Sequence, residues 1–273
     1  MIKPYPGNID LCVLIPCYNN FAGLVQSVNS IVYNRQKLLI VIVDDGSAEN
    51  ITAEKVKAYI AEGTRFHIVQ LEYNLGITGA LNKGLEFIYS NIAARFIARL
   101  DCGDICSTDR FYKQVAFLES NPGIDLLGTW CYFRDVNSGA AYSYVTPTRH
   151  KHIKRSMNFR NVFIHPTVMW RCAAMEAFKY PEQYPHAEDY GLFYDMISGR
   201  KSAIMNEFLV TCEINGKGIS VQNRTVQLKS RLKVISHYGK NKFYFLLGAM
   251  KLLLLMKIPY QFIFLAKKNL YKA

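Results

Sequence analysis

From Ile214 to Ala273 the chain has no aspartate and no glutamate, yet it carries twelve lysines and arginines there. The whole sequence holds 33 basic and 21 acidic residues, a formal net charge of +12. Taking those twelve away leaves 21 basic against 21 acidic residues in positions 1–213. The body is therefore formally neutral, which excludes a protein basic throughout; the tail alone is built to meet an anionic partner. The seven cysteines (Cys12, Cys17, Cys102, Cys106, Cys131, Cys172, Cys212) form no CxxC pair and no zinc-type cluster. Odd in number and scattered, they argue against a disulfide framework or a cysteine metal site. MIKPYPGNIDL at the start carries no apolar signal segment. These absences predict a reducing, cytoplasmic setting with buried free thiols. There is no internal repeat, low-complexity stretch or Ser/Gly linker, and with half the residues hydrophobic, wholesale disorder is excluded. A chain of 273 residues suffices for one large domain with an appendage.

What is present alternates. Leu11–Ile15, Leu38–Val43, Phe66–Leu71 and Phe96–Leu100 are short apolar runs bounded by turn residues, with Pro16 expected to end the first. Such runs predict buried parallel strands. Between them, Phe21–Val32, Ala53–Ala61 and Thr78–Ser90 have helical spacing. Strand-helix alternation predicts an α/β domain with right-handed crossovers. Further on, Leu126–Phe133, Val162–Trp170 and Ile204–Cys212 read as strands and Ala187–Gly199 as a helix.

Open α/β sheets bind ligands beyond the C-terminal ends of their strands. A polar motif follows each of the first four strands: PCYNN, DDGS, EYNLG and DCGD. Any one of them is an ordinary turn. Four on one edge predict a site.

PCYN at 16–19, VDDGS at 43–47, NLGITGALNKG at 74–84, RLDCGDI at 99–105 and AEDYGL at 187–192 together resemble the successive motifs of family 2 inverting glycosyltransferases. The agreement in order and spacing extends over residues 10–215. The resemblance implies a GT-A fold: a mixed, mainly parallel sheet flanked by helices, with a nucleotide-sugar half (1–125) and an acceptor half (126–215). It implies transfer from a nucleoside-diphosphate sugar, a UDP-sugar favoured, to a hydroxyl of a lipid-linked or growing bacterial surface glycan such as capsule or lipopolysaccharide.

Residue by residue, Pro16, Tyr18, Asn19, Asp44, Asp45, Asn74, Gly76, Asn82, Lys83 and Asp101 are expected at the donor. Asp44 or Asp45 can accept from a base imide or ribose hydroxyl, or cap a helix. Gly76 allows close backbone approach near a helix start that offers free N–H groups to an anion. Lys83 reaches a phosphate or is a solvated helix residue. The diphosphate calls for Mg²⁺ or Mn²⁺. Most relatives carry an Asp-x-Asp triplet where this chain has Asp101, Cys102 and Gly103, so Asp104 and Asp101 are the candidate ligands. The resemblance assigns the general base to Asp189, preceded by Glu188; both acids also favour a helix N-terminus. His165, Trp170 and Lys217 are acceptor-side or supporting candidates.

Phe243–Ala266 is long enough to cross a bilayer, but Lys251, Lys257 and Pro259 interrupt it. Residues 216–273 are thus expected to form amphipathic helices lying on an anionic membrane surface, peripheral to its cytoplasmic face, or to pack on protein. Nucleic acid would explain the lysines but not the leucines and phenylalanines. Two other functions use a similar framework. A sugar nucleotidyltransferase needs a basic glycine-rich loop that PCYNNFAG lacks, and a non-catalytic nucleotide-sugar-binding module would account for Gly103.

Overall fold

The computed structural model describes residues 9–176, 178–214 and 223–258. Lys217, Pro259 and the last lysines lie outside the described residues. In chain order the elements are β1 (Ile9–Cys17), α1 (Phe21–Asn29), β2 (Leu38–Asp44), α2 (Ala53–Lys57), β3 (Arg65–Gln70), α3 (Gly76–Asn91), β4 (Ala94–Arg99) and β5 (Ile105–Cys106). Then come α4 (Arg110–Ser120), β6 (Leu126–Asp135), β7 (Ala141–Tyr144), α5 (His150–Ser156), β8 (Met169–Arg171), α6 (Cys172–Met175), α7 (Glu188–Gly199), β9 (Ser202–Ile214), α8 (Arg224–Tyr238) and α9 (Lys242–Lys257).

One sheet holds the strands in the order β3-β2-β1-β4-β8-β6-β9-β5, with β7 attached to β6. The first four run parallel, as their apolar runs predict. Strand β8 is antiparallel to both β4 and β6 and joins the two halves of the sheet. Alternate residues of β1 enter different layers. Cys12 and Leu14 pack with Leu81, Leu85 and Ile88 of α3, while Leu11, Val13 and Ile15 pack with Leu24 of α1 and Phe111 of α4. Each fully buried aliphatic side chain contributes about 1.5–3 kcal/mol. None of the seven cysteines is in a disulfide among the described residues; six are buried and Cys102 is part-exposed.

Two local expectations are corrected. Pro16 does not end β1; the strand continues to Cys17, with Pro16 buried opposite Val43. Val162–Trp170 is not a strand. His165–Thr167 is a single 3₁₀ turn and only Met169–Arg171 joins the sheet. Pro166 has no N–H for a ladder and its fixed φ suits a tight turn.

The C-terminal helices are in part built into the body. Leu228, Val234 and Ile235 of α8 and Leu252 of α9 belong to the same core as Tyr190 and Tyr194 of α7. Phe243, Leu246, Leu247, Met250, Leu253 and Leu254 of α9 are exposed. Helix α9 is therefore apolar on both sides, one covered and one bare, rather than amphipathic. Among the described residues no helix is long and apolar enough to cross a membrane.

Gly84 sets how closely α3 approaches the sheet. A Cβ there would lie 2.4 Å from Leu14 Cδ1 and 2.8 Å from Val43 Cγ2. Gly84→Val is expected to lower stability by about 1–3 kcal/mol through overpacking, read from the shift of the urea midpoint.

Candidate active site

The loops after β1, β2 and β3 are tied to each other before any ligand is considered. The Asn19 N–H donates to Ser47 Oγ (3.0 Å), and Ala48 N–H donates to Asn19 Oδ1 (2.9 Å). Asn19 sits at φ +50, a conformation asparagine tolerates. Asn20 Oδ1 caps α1 through Gly23 N–H (3.1 Å). This leaves Tyr18, 50% exposed, as the accessible ring of the PCYNN segment.

The DDGS acids are largely spoken for. Asp44 is fully buried, and accepts from Ser47 N–H (3.0 Å), Ile51 N–H (2.8 Å) and Gln70 Nε2 (2.9 Å). Burial alone would push its carboxyl up, but those hydrogen bonds outweigh it and hold it below the ordinary value. Asp44 organises the loop through these bonds. Asp45 Oδ1 accepts from Leu75 N–H (2.8 Å), and burial and the Asp44 charge raise its pKa. The two loops approach closely because residue 46 is glycine. It has φ +69, and a Cβ would lie 2.5 Å from the Tyr73 carbonyl carbon. Asn74 Oδ1 turns back to Gly76 N–H (3.1 Å), and Gly76 itself has φ +73.

Two residues of the third motif lie elsewhere. Asn82 clamps the backbone of Tyr180, donating to its carbonyl (2.9 Å) and accepting from its N–H (2.8 Å). Lys83 is exposed and paired with Glu86 at 2.9 Å. Asn82 thereby ties the segment around Tyr180 to α3.

The end of β4 is organised by a residue that sequence reading passed over. Arg99 is fully buried. Its guanidinium donates to the Leu14 and Leu100 carbonyls and to His165 Nε2 (3.3 Å), and it ion-pairs with Asp101. Tyr180, also fully buried, places its hydroxyl 2.8 Å from the same His165 nitrogen. Burial, then the Arg99 charge, lowers His165 to about 4, so the ring is neutral near pH 7 and accepts at Nε2. The signal for Arg99 was its place inside an apolar strand next to DCGD; Tyr180 gave none.

Gly103 has φ +106, and its N–H donates to Gly23 O (3.1 Å) and Ser27 Oγ (2.9 Å). An aspartate would be strained in that backbone conformation. Asp104, the next residue, is held by the fold. It is 6% exposed, and its Oδ1 accepts from Glu213 N–H (2.9 Å). Burial and the Asp101 charge raise it to about 8. Among the described residues no three His, Cys, Asp or Glu could together hold a metal. The acids present fit a hard cation only as one shared with a diphosphate, held through the 37% exposed Asp101 side chain. Cys102 Sγ meets Cys17 Sγ at 3.5 Å and the Asn20 carbonyl at 3.1 Å, filling space beside Asp101.

Opposite this edge, α7 begins with Glu188 and Asp189. Asp189 Oδ2 accepts from Asn161 Nδ2 (2.8 Å) and Oδ1 from Tyr190 N–H (2.7 Å), which fixes the carboxylate. Glu188 is 8% exposed, and its buried Oε2 has no hydrogen-bond partner among the described residues. Burial first, then the charges of Asp189 and Asp101, raises it to about 7. The charges of Asp101 and Asp189 also act on both His165 and Tyr180. The ends of β4 and α7 thus face one another across the Arg99–His165–Tyr180 network. Trp170 is not in this group; it is fully buried in β8 opposite Ile97 and Leu126, a core residue where an acceptor contact was expected. Lys217 lies outside the described residues.

The Glycosyl transferase family 2 description matches residues 12–180, more than half of the sequence. The chain belongs to this family. It is similar to the amylovoran biosynthesis glycosyltransferase AmsE of Erwinia amylovora, 28% identical over 90% of this chain and 95% of that protein. The UDP-Gal:alpha-D-GlcNAc-diphosphoundecaprenol beta-1,3-galactosyltransferase of Escherichia coli is 30% identical over 56% of this chain and 54% of its own length. Among solved structures, S. aureus TarS in complex with UDP superposes with a TM-score of 0.64 at 17% identity, covering 90% of this chain and 71% of that one. The mannosyltransferase PcManGT from Pyrobaculum calidifontis, with GDP-Man and Mn²⁺, gives 0.64 at 15% identity over 92% and 71%. The fold is therefore GT-A and the protein is a glycosyltransferase.

Glu188 is raised above its unfolded value, so its contribution to stability is present below about pH 4.5 and lost as pH climbs through about 7. Glu188→Gln removes that loss. The variant is expected to be more stable than the parent at pH 8, on the order of 2–3 kcal/mol, with little difference at pH 4.5, in paired urea titrations.

Proposed function

We propose that this enzyme transfers a sugar, with inversion, from a nucleoside-diphosphate donor to a hydroxyl of a lipid-linked or growing surface glycan. A UDP-sugar is the favoured donor. The observation that carries the reading is the pairing of Asp189, fixed by Asn161 and Tyr190, with Asp101 across the Arg99–His165–Tyr180 network. In this reading residues 1–125 serve the donor, 126–215 the acceptor, and 216–273 the membrane. The E. coli relative's named diphosphoundecaprenol acceptor and the Erwinia relative's named polysaccharide support the acceptor class. The UDP complex of the TarS neighbour supports the donor class.

The chemistry follows from the groups present. The exposed face of Tyr18 offers a platform for the base, and the Asp45–Gly46 and Asn74–Gly76 backbones border the ribose and phosphates. Asp101 takes a ribose hydroxyl or a cation. Asp101 would hold Mg²⁺ or Mn²⁺, which would supply charge neutralisation for the diphosphate leaving group. Asp189 accepts the acceptor hydroxyl's proton as its oxygen bonds to the anomeric carbon and the sugar–phosphate bond breaks. Glu188, held protonated to about pH 7, offers a hydrogen-bond donor to a sugar oxygen beside it. In this reading the enzyme works peripherally at the cytoplasmic face of an anionic membrane, which the neutral body and the basic C-terminal residues support.

Asp189→Asn keeps the hydrogen-bonding shape but cannot take a proton. Turnover is expected to fall by about 10²–10⁴-fold, with UDP affinity changed by no more than about threefold. Turnover within about tenfold of the parent would remove Asp189 from the base role.

A further inference from the structure

Away from the Asp101–Asp189 cluster, a second cavity of about 870 Å³ opens between α5, the end of α7 and the α8–α9 junction. Lys151, Lys154, Arg155 and Lys240 line it, and no aspartate or glutamate does. Among the described residues none of these four cations is paired with a carboxylate. Four unneutralised cations around one concavity make a site for an anion.

Three further observations narrow the anion. Arg155 stacks over the Tyr244 ring, 4.9 Å from its centroid, which holds the guanidinium at the junction with α9. Asn158 lines the same cavity, is 5% exposed, and its side-chain N–H groups donate to the Lys154 and Arg155 carbonyls, which holds those two cations' backbone at the cavity. Most telling is what adjoins the cavity. Asn241 and Tyr244, in its wall, begin the helix whose outer side exposes Phe243, Leu246, Met250, Leu253 and Leu254. That helix is held against the cavity floor, since a Cβ at Gly248 would lie 2.0 Å from the Asn158 carbonyl oxygen. A cationic cavity continuous with a bare apolar ridge matches an amphiphile with a phosphate head. A soluble sugar phosphate or a nucleic acid would leave the ridge uncovered.

We propose that this cavity seats the phosphate headgroup of an anionic phospholipid while the exposed side of α9 enters the acyl boundary. This rests on the membrane reading above and deepens it. The contact is made by the catalytic body through α5, not by the C-terminal segment alone, so the body is held in one orientation to the bilayer.

The test is flotation of the full chain with vesicles of phosphatidylglycerol mixed into phosphatidylcholine, and with phosphatidylcholine alone. Two variants are compared: Lys154→Gln/Arg155→Gln/Lys240→Gln in the cavity and Leu246→Ser/Leu253→Ser on the ridge. Retained UDP binding verifies folding of each, and Lys240→Gln alone serves if the triple variant does not fold. The cavity variant is expected to bind phosphatidylglycerol vesicles on the order of tenfold or more weakly, with binding to phosphatidylcholine unchanged. The ridge variant is expected to lose binding to both, and millimolar inorganic phosphate is expected not to compete. Unchanged binding of the cavity variant beside loss in the ridge variant overturns the cavity assignment and leaves the membrane reading standing. No binding of the parent to either vesicle overturns both. Full competition by inorganic phosphate, with no dependence on lipid charge, makes the cavity a free-phosphate site and also overturns the proposal.

Discussion

A single buried guanidinium holds the active site in register. Arg99 has no exposed surface, so each of its donors needs a protein acceptor. It finds them in two backbone carbonyls, one histidine and one aspartate. Those partners belong to β1, to the end of β4 and to the turn before β8. Removing one partner of such a group is costly because the remaining charge stays buried, about 3–5 kcal/mol for a buried pair. The orientation of Asp101 follows from this desolvated cation, which also adds to burial in keeping His165 neutral, and His165 in turn seats the Tyr180 hydroxyl.

The acids that catch the eye in the sequence therefore divide into two kinds. Asp44, Asp45 and Asp104 spend oxygens on backbone N–H groups and shape the loops. Asp101, Glu188 and Asp189 face each other across the network. Sequence spacing places both kinds at strand ends, where turns need acids for structure and sites need them for chemistry. Nothing in the spacing separates the two uses; what does is which acids lie beside the Arg99–His165–Tyr180 network.

Much of the frame was legible. Apolar runs with β-branched residues gave the four parallel strands, and helical spacing gave α1, α3 and α7, with ends shifted by a few residues. The exceptions have local causes. Pro16 lies one residue from the end of β1, in register with Val43 of β2, and Pro166 turns an apolar run into a 3₁₀ turn. The Asn82 clamp was invisible because its partner Tyr180 is 98 residues away and is gripped by its backbone, which carries no residue signature. The bare side of α9 was masked for a related reason. When both sides of a helix are apolar, periodicity cannot tell the covered side from the open one.

Gly103 has a consequence for the history of the site. An aspartate at this position lies one side chain away in sequence but a backbone rearrangement away in structure, because φ +106 suits glycine and the N–H is already held by Gly23 and Ser27. A lineage that has adopted this turn cannot recover the missing carboxylate by one substitution without first reshaping the loop, so the reduced acid set behaves as a ratchet.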